Sequence, residues 1–176
     1  MTMHFISSQT TTSSSQIIFN NIPQTFSHLH IKVFGRHNTA NTINASFVQV
    51  NGFGGTYPFY HNLIGNGSTV TSGASTSSIL PLPDLPGTSA ASGMVGSFIV
   101  DILDYSSTTK NKTIRSFGGT DLNGSGTAMF ATGFYNSTTA ITNLIFGAGF
   151  TVPYTFAAGS RVDLYGITTN PIATGA

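Results

Sequence analysis

The chain has 176 residues and a formal net charge of +1, and only 6% of its residues are charged, against about 25% in a typical soluble protein. Its length suits one domain with a sizeable core, and a hydrophobic content of 39% argues against disorder. The small net charge and the lack of a basic run exclude nucleic-acid binding through an electrostatic footprint. We expect neither a signal peptide nor a membrane-spanning segment, because no suitable basic or long apolar run is present.

The composition favours strands. Glu and Cys are absent, Ser, Thr and Asn are abundant, and 20 Gly and 7 Pro residues punctuate the chain. Ser and Asn compete with helix hydrogen bonds, whereas Thr suits strands. A surface with few charges and many hydroxyl and amide groups suits a protein held in an assembly, or one that binds neutral partners such as glycans.

Residues 1–15 begin with a small apolar patch, His4, Phe5 and Ile6, and continue as a Ser/Thr tract. We predict a terminal arm that is either loose or pairs with a neighbouring subunit or partner. In residues 26–34, Leu29, Ile31 and Val33 alternate with polar residues, which predicts a strand with one buried face. Further strands are predicted over residues 16–19, 43–50, 127–135, 140–146 and 161–167. Residues 57–63, which Pro58 interrupts, are predicted as either a short strand or an irregular loop.

Residues 65–96 show little periodicity, and the segment 79–86 is stiffened by prolines. Such a stretch inside a compact domain is typical of a functional or interface loop. We therefore predict partner contacts here, as well as at the terminal patch, through Leu80, Pro81, Leu82 and Pro83.

The most distinct pattern lies in residues 97–117. Residues 98–105 form an apolar run on both faces of a predicted strand, which is typical of a central strand, and residues 113–117 are predicted to return beside it. Lys110 and Lys112, the most concentrated positive charge, are expected at the solvated tip between them.

No helical period occurs anywhere, and the predicted strands recur at regular spacing. The sequence therefore predicts an all-β antiparallel sandwich of jelly-roll type with about eight or nine strands. The domain is expected over residues 16–168, between the arm of residues 1–15 and a tail of residues 169–176.

Few residues suggest chemistry. His28 and His30 share a strand face and could present two metal ligands, but two exposed polar residues are the preferred interpretation. Asp121 and Asn123 have some likeness to a calcium loop, although ordinary turn chemistry explains them better. Five Asn residues head glycosylation-type triplets, which carry little weight in such a composition: Asn44, Asn66, Asn111, Asn123 and Asn136.

Asp101 and Asp104 are the candidate acid/base pair for a glycosidase. Their spacing along a strand sends them to opposite faces, so a structural role is expected, with Asp101 bonded to Arg115 or Arg161. We expect no enzyme, no metal and no cofactor. A hydrolase remains a minor alternative.

Five stretches together resemble small structural proteins of tailed bacteriophages, in particular those of cyanobacteria. They are ISSQT at residues 6–10, IPQTF at 22–26, LIGNGS at 63–68, ILDY at 102–105 with KNKTIRS at 110–116, and GSRVDLYGI at 159–167. The resemblance spans nearly the whole chain and consists of turn and strand patterns. The loop of residues 51–60 departs from it, because it carries no acid.

The resemblance implies a jelly-roll virion component, a capsid decoration or cement protein that sits as a homotrimer on the outer capsid surface after synthesis in the host cytoplasm. Its implied partner is the major capsid protein, and no catalytic residues carry over. The alternative is a receptor-binding module of a tail or fibre that recognises host surface glycans. In that case Tyr57, Phe59 and Tyr60 would stack on a sugar and Asn62 would hydrogen-bond it.

Overall fold

The computed structural model describes residues 1–52, 57–149 and 154–169. Within these ranges the chain forms twelve strands and no helix, arranged as one sheet of eight strands and one of four. In chain order the strands are β1 (Thr2–Thr10), β2 (Gln16–Phe19), β3 (His28–Gly35), β4 (Ile43–Val50), β5 (Tyr57–Gly65), β6 (Val70–Ser77), β7 (Leu80–Pro86), β8 (Gly96–Ile102), β9 (Lys112–Asp121), β10 (Gly126–Tyr135), β11 (Leu144–Ala148) and β12 (Arg161–Thr168).

The strand order is that of a jelly roll. The large sheet contains the order β1-β12-β3-β8 and the small sheet is β2-β11-β4-β7, with every pair antiparallel. When these eight strands are numbered in chain order, the two sheets read 1-8-3-6 and 2-7-4-5, the two interlocked Greek keys of that fold. The predicted fold class is confirmed.

Two hairpins account for the strands beyond eight. The β5–β6 hairpin is inserted between the fourth and fifth jelly-roll strands, and the β9–β10 hairpin between the sixth and seventh. The β9–β10 hairpin adds to the edge of β8 and the β5–β6 hairpin adds to the edge of β10, so the large sheet continues as β9-β10-β5-β6. The β6 strand lies within residues 65–96, which the sequence predicts as an irregular loop, whereas β9 and β10 match the strands predicted at 113–117 and 127–135.

The core lies between the sheets and is built from alternate residues, as period-two strands require. In β3, Leu29, Ile31 and Val33 are buried as predicted, and in β8, Phe98, Val100 and Ile102 point inward with them. The small sheet contributes the opposite side through Val48, Leu82, Leu144 and Phe146. As predicted, β8 is an interior strand paired with β3 on one side and β9 on the other.

The predicted terminal arm is incorrect for most of residues 1–15. Thr2–Thr10 forms β1, an edge strand of the large sheet that pairs with β12 of the same chain. Ile6 packs against the core, whereas His4 and Phe5 of the same patch are exposed. Removing residues 1–15 would expose the edge of β12, which β1 covers. It would also remove the bridge between Ser14 and Phe156, which lies just before β2.

The proline-rich segment also differs from expectation. Leu80–Pro86 is β7, which pairs with β4 and packs beneath β9 and β10. Leu80 and Leu82 are 0% and 1% exposed, and Pro83 is buried, whereas Pro81 is half-buried. The side chains of Leu80, Leu82 and Pro83, predicted to contact a partner, therefore contact the core instead. Prolines are tolerated in β7 because it is an edge strand.

Candidate functional site on the outer face of the large sheet

The outer face of the large sheet carries its side chains in rows that cross the strands. One row, here called the aromatic row, consists of Leu63, Phe130, Phe117 and Ile99, which are register partners on β5, β10, β9 and β8. The same row continues onto Lys32 of β3 and Asp163 of β12.

The side chains of the aromatic row are unusually exposed for large apolar residues. Phe117 is 60% exposed, Leu63 51% and Phe130 42%. Three large apolar side chains in register on neighbouring strands form a contiguous patch, which in soluble proteins marks a surface that contacts something else. The patch lies outside the core cluster of buried residues.

A trough runs beside the aromatic row because the next row is built from small residues. Ser97, Gly119, Ala128 and Gly65 are register partners there. A depression of about 730 Å³ opens where this trough meets Phe34 and Phe117. Lys32, Arg161 and Asp163 lie along its polar side, so the depression offers apolar walls and charged groups together.

On the other side of the aromatic row lies a polar row. The Nδ1 atom of His30 is 2.7 Å from Oδ1 of Asp101, and the Nε atom of Arg115 donates to Oδ2 of the same carboxylate at 3.2 Å. The three residues are register neighbours on β3, β8 and β9. The predicted structural role of Asp101 is confirmed with Arg115 as its partner, whereas Arg161 bonds Asp163 instead.

The prediction that Asp101 and Asp104 face opposite ways is wrong. The strand ends at Ile102, and Asp104 sits in a turn with a φ of 51°. Its backbone N–H donates to Nδ1 of His28 at 2.9 Å, and its carboxylate accepts from Lys110 at 2.9 Å. Both acids thus contact histidines of the same β3 face, and Lys110 holds the pKa of Asp104 below its usual value.

The two histidines share a face as predicted, but each is engaged by an acid. Among the described residues, no three His, Cys, Asp or Glu side chains gather as metal ligands would. The Asp121 segment is a hairpin turn between β9 and β10, in which the Asp121 carboxylate accepts from the Asn123 N–H at 2.8 Å. Asn123 has a φ of 59°, which fits the turn interpretation.

The two lysines of the hairpin tip have opposite environments. Lys110 is exposed, as predicted, but Lys112 is 0% exposed. The ammonium group of Lys112 donates to the carbonyls of Ser137 at 3.2 Å and Thr139 at 2.7 Å. Burial lowers the pKa of Lys112. The predicted solvated tip is therefore correct only for Lys110.

The aromatic cluster predicted for a sugar is not assembled as expected. Tyr60 packs against the core, and Asn62 shares its strand face, where a side chain on Gly73 would meet the Asn62 amide oxygen. The side chains of Tyr57 and Phe59 lie outside the described residues, as do residues 53–56 of the loop. Phe5, by contrast, is 62% exposed and meets Tyr165 edge-on, and His4 lies against Phe26.

Sequence reasoning missed the aromatic row because its members come from four separate strands. The available signal was the alternation in residues 113–117 and 127–135, where Phe117 and Phe130 occupy the face opposite to buried Ile114 and Met129. Pairing order, which periodicity does not contain, decides that these residues meet.

The fold places the chain among jelly-roll proteins. The chain matches no protein-family model, no curated protein and no solved structure. Within the described ranges, no helix has the length and apolar character needed to cross a membrane.

Proposed function

We propose that the protein is a bacteriophage virion structural protein that decorates and stabilises the assembled capsid shell, with the major capsid protein as its partner. The observation that carries the proposal is the exposed aromatic row on the outer face of the large sheet. The jelly-roll topology, the scarcity of charge and the resemblance to virion components of tailed phages support the same function.

The proposed mechanism is linked binding. A protein that binds the assembled shell, but not its separated subunits, stabilises the shell by RT ln(1 + [L]/Kd) for each site. Burial of Leu63, Phe117 and Phe130 against the shell would supply apolar contact area. The low charge of the chain means that few charged side chains must be desolvated on docking.

A co-sedimentation experiment tests the proposal. Purified shells of the phage that encodes the chain, stripped of decoration, are mixed with the full-length protein, and the bound copies and the temperature of shell disruption are measured. We expect saturable binding to shells and a higher disruption temperature. Failure of the wild-type protein to bind any shell surface would contradict the proposal.

A matched pair of variants locates the docking face. Phe117→Ser combined with Phe130→Ser removes the centre of the aromatic row and should weaken shell binding strongly. Ile18→Ser removes a side chain of similar exposure, 40%, from β2 in the other sheet, and should leave binding unchanged. Equal binding by both variants would show that the aromatic row is not the docking face.

The resemblance also implies a homotrimer, which we propose for the shell-bound form. A cyclic trimer repeats one contact between neighbours around its axis. Imaging of decorated shells would show three copies around each local threefold axis. Single copies at each position would exclude the trimer without excluding decoration.

The depression between Phe34 and Phe117 favours a second candidate function, recognition of host surface glycans by a tail or fibre module. Aromatic walls stack on sugar rings, and Arg161, Lys32 and Ser97 offer hydrogen-bond donors beside them. A glycan array tests this alternative: specific hits that Phe34→Ala abolishes would favour it, and an array without hits would reject it.

A further inference from the structure

The edges of the two sheets are protected to very different degrees. Natural edge strands avoid pairing with other chains by being short, or by carrying prolines, charges or bulges. Among the described strands, β2 is four residues long, β7 contains three prolines, and β1 has a register shift between Phe5 and Ser7. Each of these edges therefore carries a recognised form of protection.

The remaining edge, β6, carries none of these protections. It is eight residues long, VTSGASTS, with no charge and no proline. The register shift in its pairing with β5 places the extra residue on β5, and residues 70–75 pair regularly. Seven of its eight residues are exposed, from Val70 to Thr76, so neither the small sheet nor a loop in the described part of the chain covers it.

We infer that β6 is a self-association edge, at which the β6 strand of a second copy of this chain pairs antiparallel across a twofold axis. The inference goes beyond the proposed function and does not rest on it. A twofold axis normal to the sheet keeps the outer faces of both copies on one side. Even-numbered residues then pair with even-numbered residues and odd with odd, and the axis passes beside Gly73 or beside Ala74.

The side chains of β6 are compatible with those of a second β6 strand. With either centre, pairing brings together Ser, Thr, Ala, Gly and Val, so no like charges meet and no bulky side chains clash. Thr and Ser side chains are favourable cross-strand neighbours. Val70, which is 75% exposed, would gain a neighbouring strand.

The surface beside β6 supports the same partner. Leu63 on β5 and Phe130 on β10, the next two strands of the sheet, are exposed, and with Ser72 and Ala74 they line a depression of about 400 Å³. Pairing of two β6 strands would place both depressions on one continuous face. Two chains would be joined in this way, or two trimers if the proposed threefold packing also forms.

The experiment measures the mass of the full-length protein in solution by light scattering. Ser72→Lys combined with Ala74→Lys puts lysines on the outer face, where they face each other across the axis with either centre. We expect this variant to have half the mass of the wild-type protein. Ser72→Asp combined with Ala74→Asp should behave likewise, and an equimolar mixture of the two variants should recover the wild-type mass.

A second measurement separates loss of pairing from loss of folding. Because the chain has no cysteine, Ala74→Cys reports contact between copies through a short thiol-reactive cross-linker, which can bridge the two Ala74 positions with either centre. We expect rapid cross-linking at this position and far slower cross-linking for Thr138→Cys in an exposed loop. A wild-type mass equal to that of the lysine variant, or equal cross-linking at both positions, would overturn the inference.

Discussion

The carboxylate of Asp101 bridges two side chains on the outer face of the large sheet, with Nδ1 of His30 at 2.7 Å from one oxygen and Nε of Arg115 at 3.2 Å from the other. The side chain of Asp101 is 18% exposed and that of His30 is 15% exposed, whereas that of Arg115 is 52% exposed. The acid is therefore the half-buried centre of a three-strand contact, and its partners contribute unequally.

We predict that Asp101→Ala lowers the free energy of unfolding by about 1–3 kcal/mol, because the half-buried His30 loses its hydrogen-bond partner. Arg115→Ala should cost about 1 kcal/mol or less, as expected for an exposed ion pair. Urea denaturation of both variants checks the order. An equal cost for the two would show that the contact with His30 contributes nothing.

The second prediction concerns the buried ammonium group of Lys112. Lys112→Ala should destabilise the domain by about 2–4 kcal/mol, because it leaves a cavity and two carbonyls without a donor. Lys112→Met fills the space and removes the desolvation cost of the charge, so it should cost less. The matched exposed change, Lys110→Met, should cost least, and chemical denaturation at neutral pH gives the order.

The burial of Lys112 also predicts how the free energy of unfolding changes at alkaline pH. Since burial lowers its pKa below 10.5 in the folded chain, the unfolded chain holds more protons between the two pKa values, and stability contributed by this group rises with pH there. The wild type should therefore gain stability relative to Lys112→Met as the pH rises toward 10.5. A stability difference that does not change with pH would contradict the assignment.

The third prediction concerns His37, which is 0% exposed, stacks on Phe156 and lies 3.1 Å from the Ser46 hydroxyl. Burial lowers its pKa from 6.5 to about 4. Between these values the unfolded chain binds the extra proton, so acidification should remove on the order of 3 kcal/mol from the free energy of unfolding. His37→Phe should lose this dependence between pH 6.5 and 4.

The control for His37 is Phe156→Leu, which removes the stacking ring and leaves the titrating group in place. It should be less stable at every pH but keep the same acid dependence as the wild type. If His37→Phe retained the wild-type slope, another group would be responsible for the acid sensitivity.

The fourth prediction separates the aromatic row from the core. Phe117→Ser should change the free energy of unfolding by only about 0.5 kcal/mol, because a surface position away from special contacts tolerates substitution. Phe98→Ser, on the neighbouring strand with 4% exposure, should cost several times more, since it opens a core cavity. Thermal denaturation compares them, and a large loss for Phe117→Ser would mean that the row serves the fold.

Asn51 offers a fifth prediction. Its amide nitrogen donates to the Ala140 carbonyl at 2.9 Å, its oxygen accepts from the Thr142 N–H at 2.9 Å, and its φ is 51°. Asn51→Ala should cost about 2–3 kcal/mol through the lost side-chain hydrogen bonds and an unfavourable backbone. Asn51→Gly, which loses the bonds but tolerates the backbone angle, should cost less in the same denaturation assay.

Periodicity alone determined much of this protein. The alternation of Leu29, Ile31 and Val33 specified a strand and its buried face, and the two-sided apolar run after Ser97 specified an interior strand. The absence of helical periods, the abundance of turn residues and the eight or nine predicted strands favoured a jelly-roll sandwich. Buried faces could be predicted because side-chain direction within a strand is a local property.

Tertiary structure decided what a local pattern does not contain. The order of the strands placed Leu63, Phe130 and Phe117 in one row and made residues 2–10 an edge strand. Packing between the sheets buried side chains of β7. The end of β8 at Ile102 turned Asp104 toward His28, and packing against the 137–139 segment buried Lys112. Pairing order and burial arise from contacts between residues far apart in the chain, whereas composition and spacing describe only near neighbours.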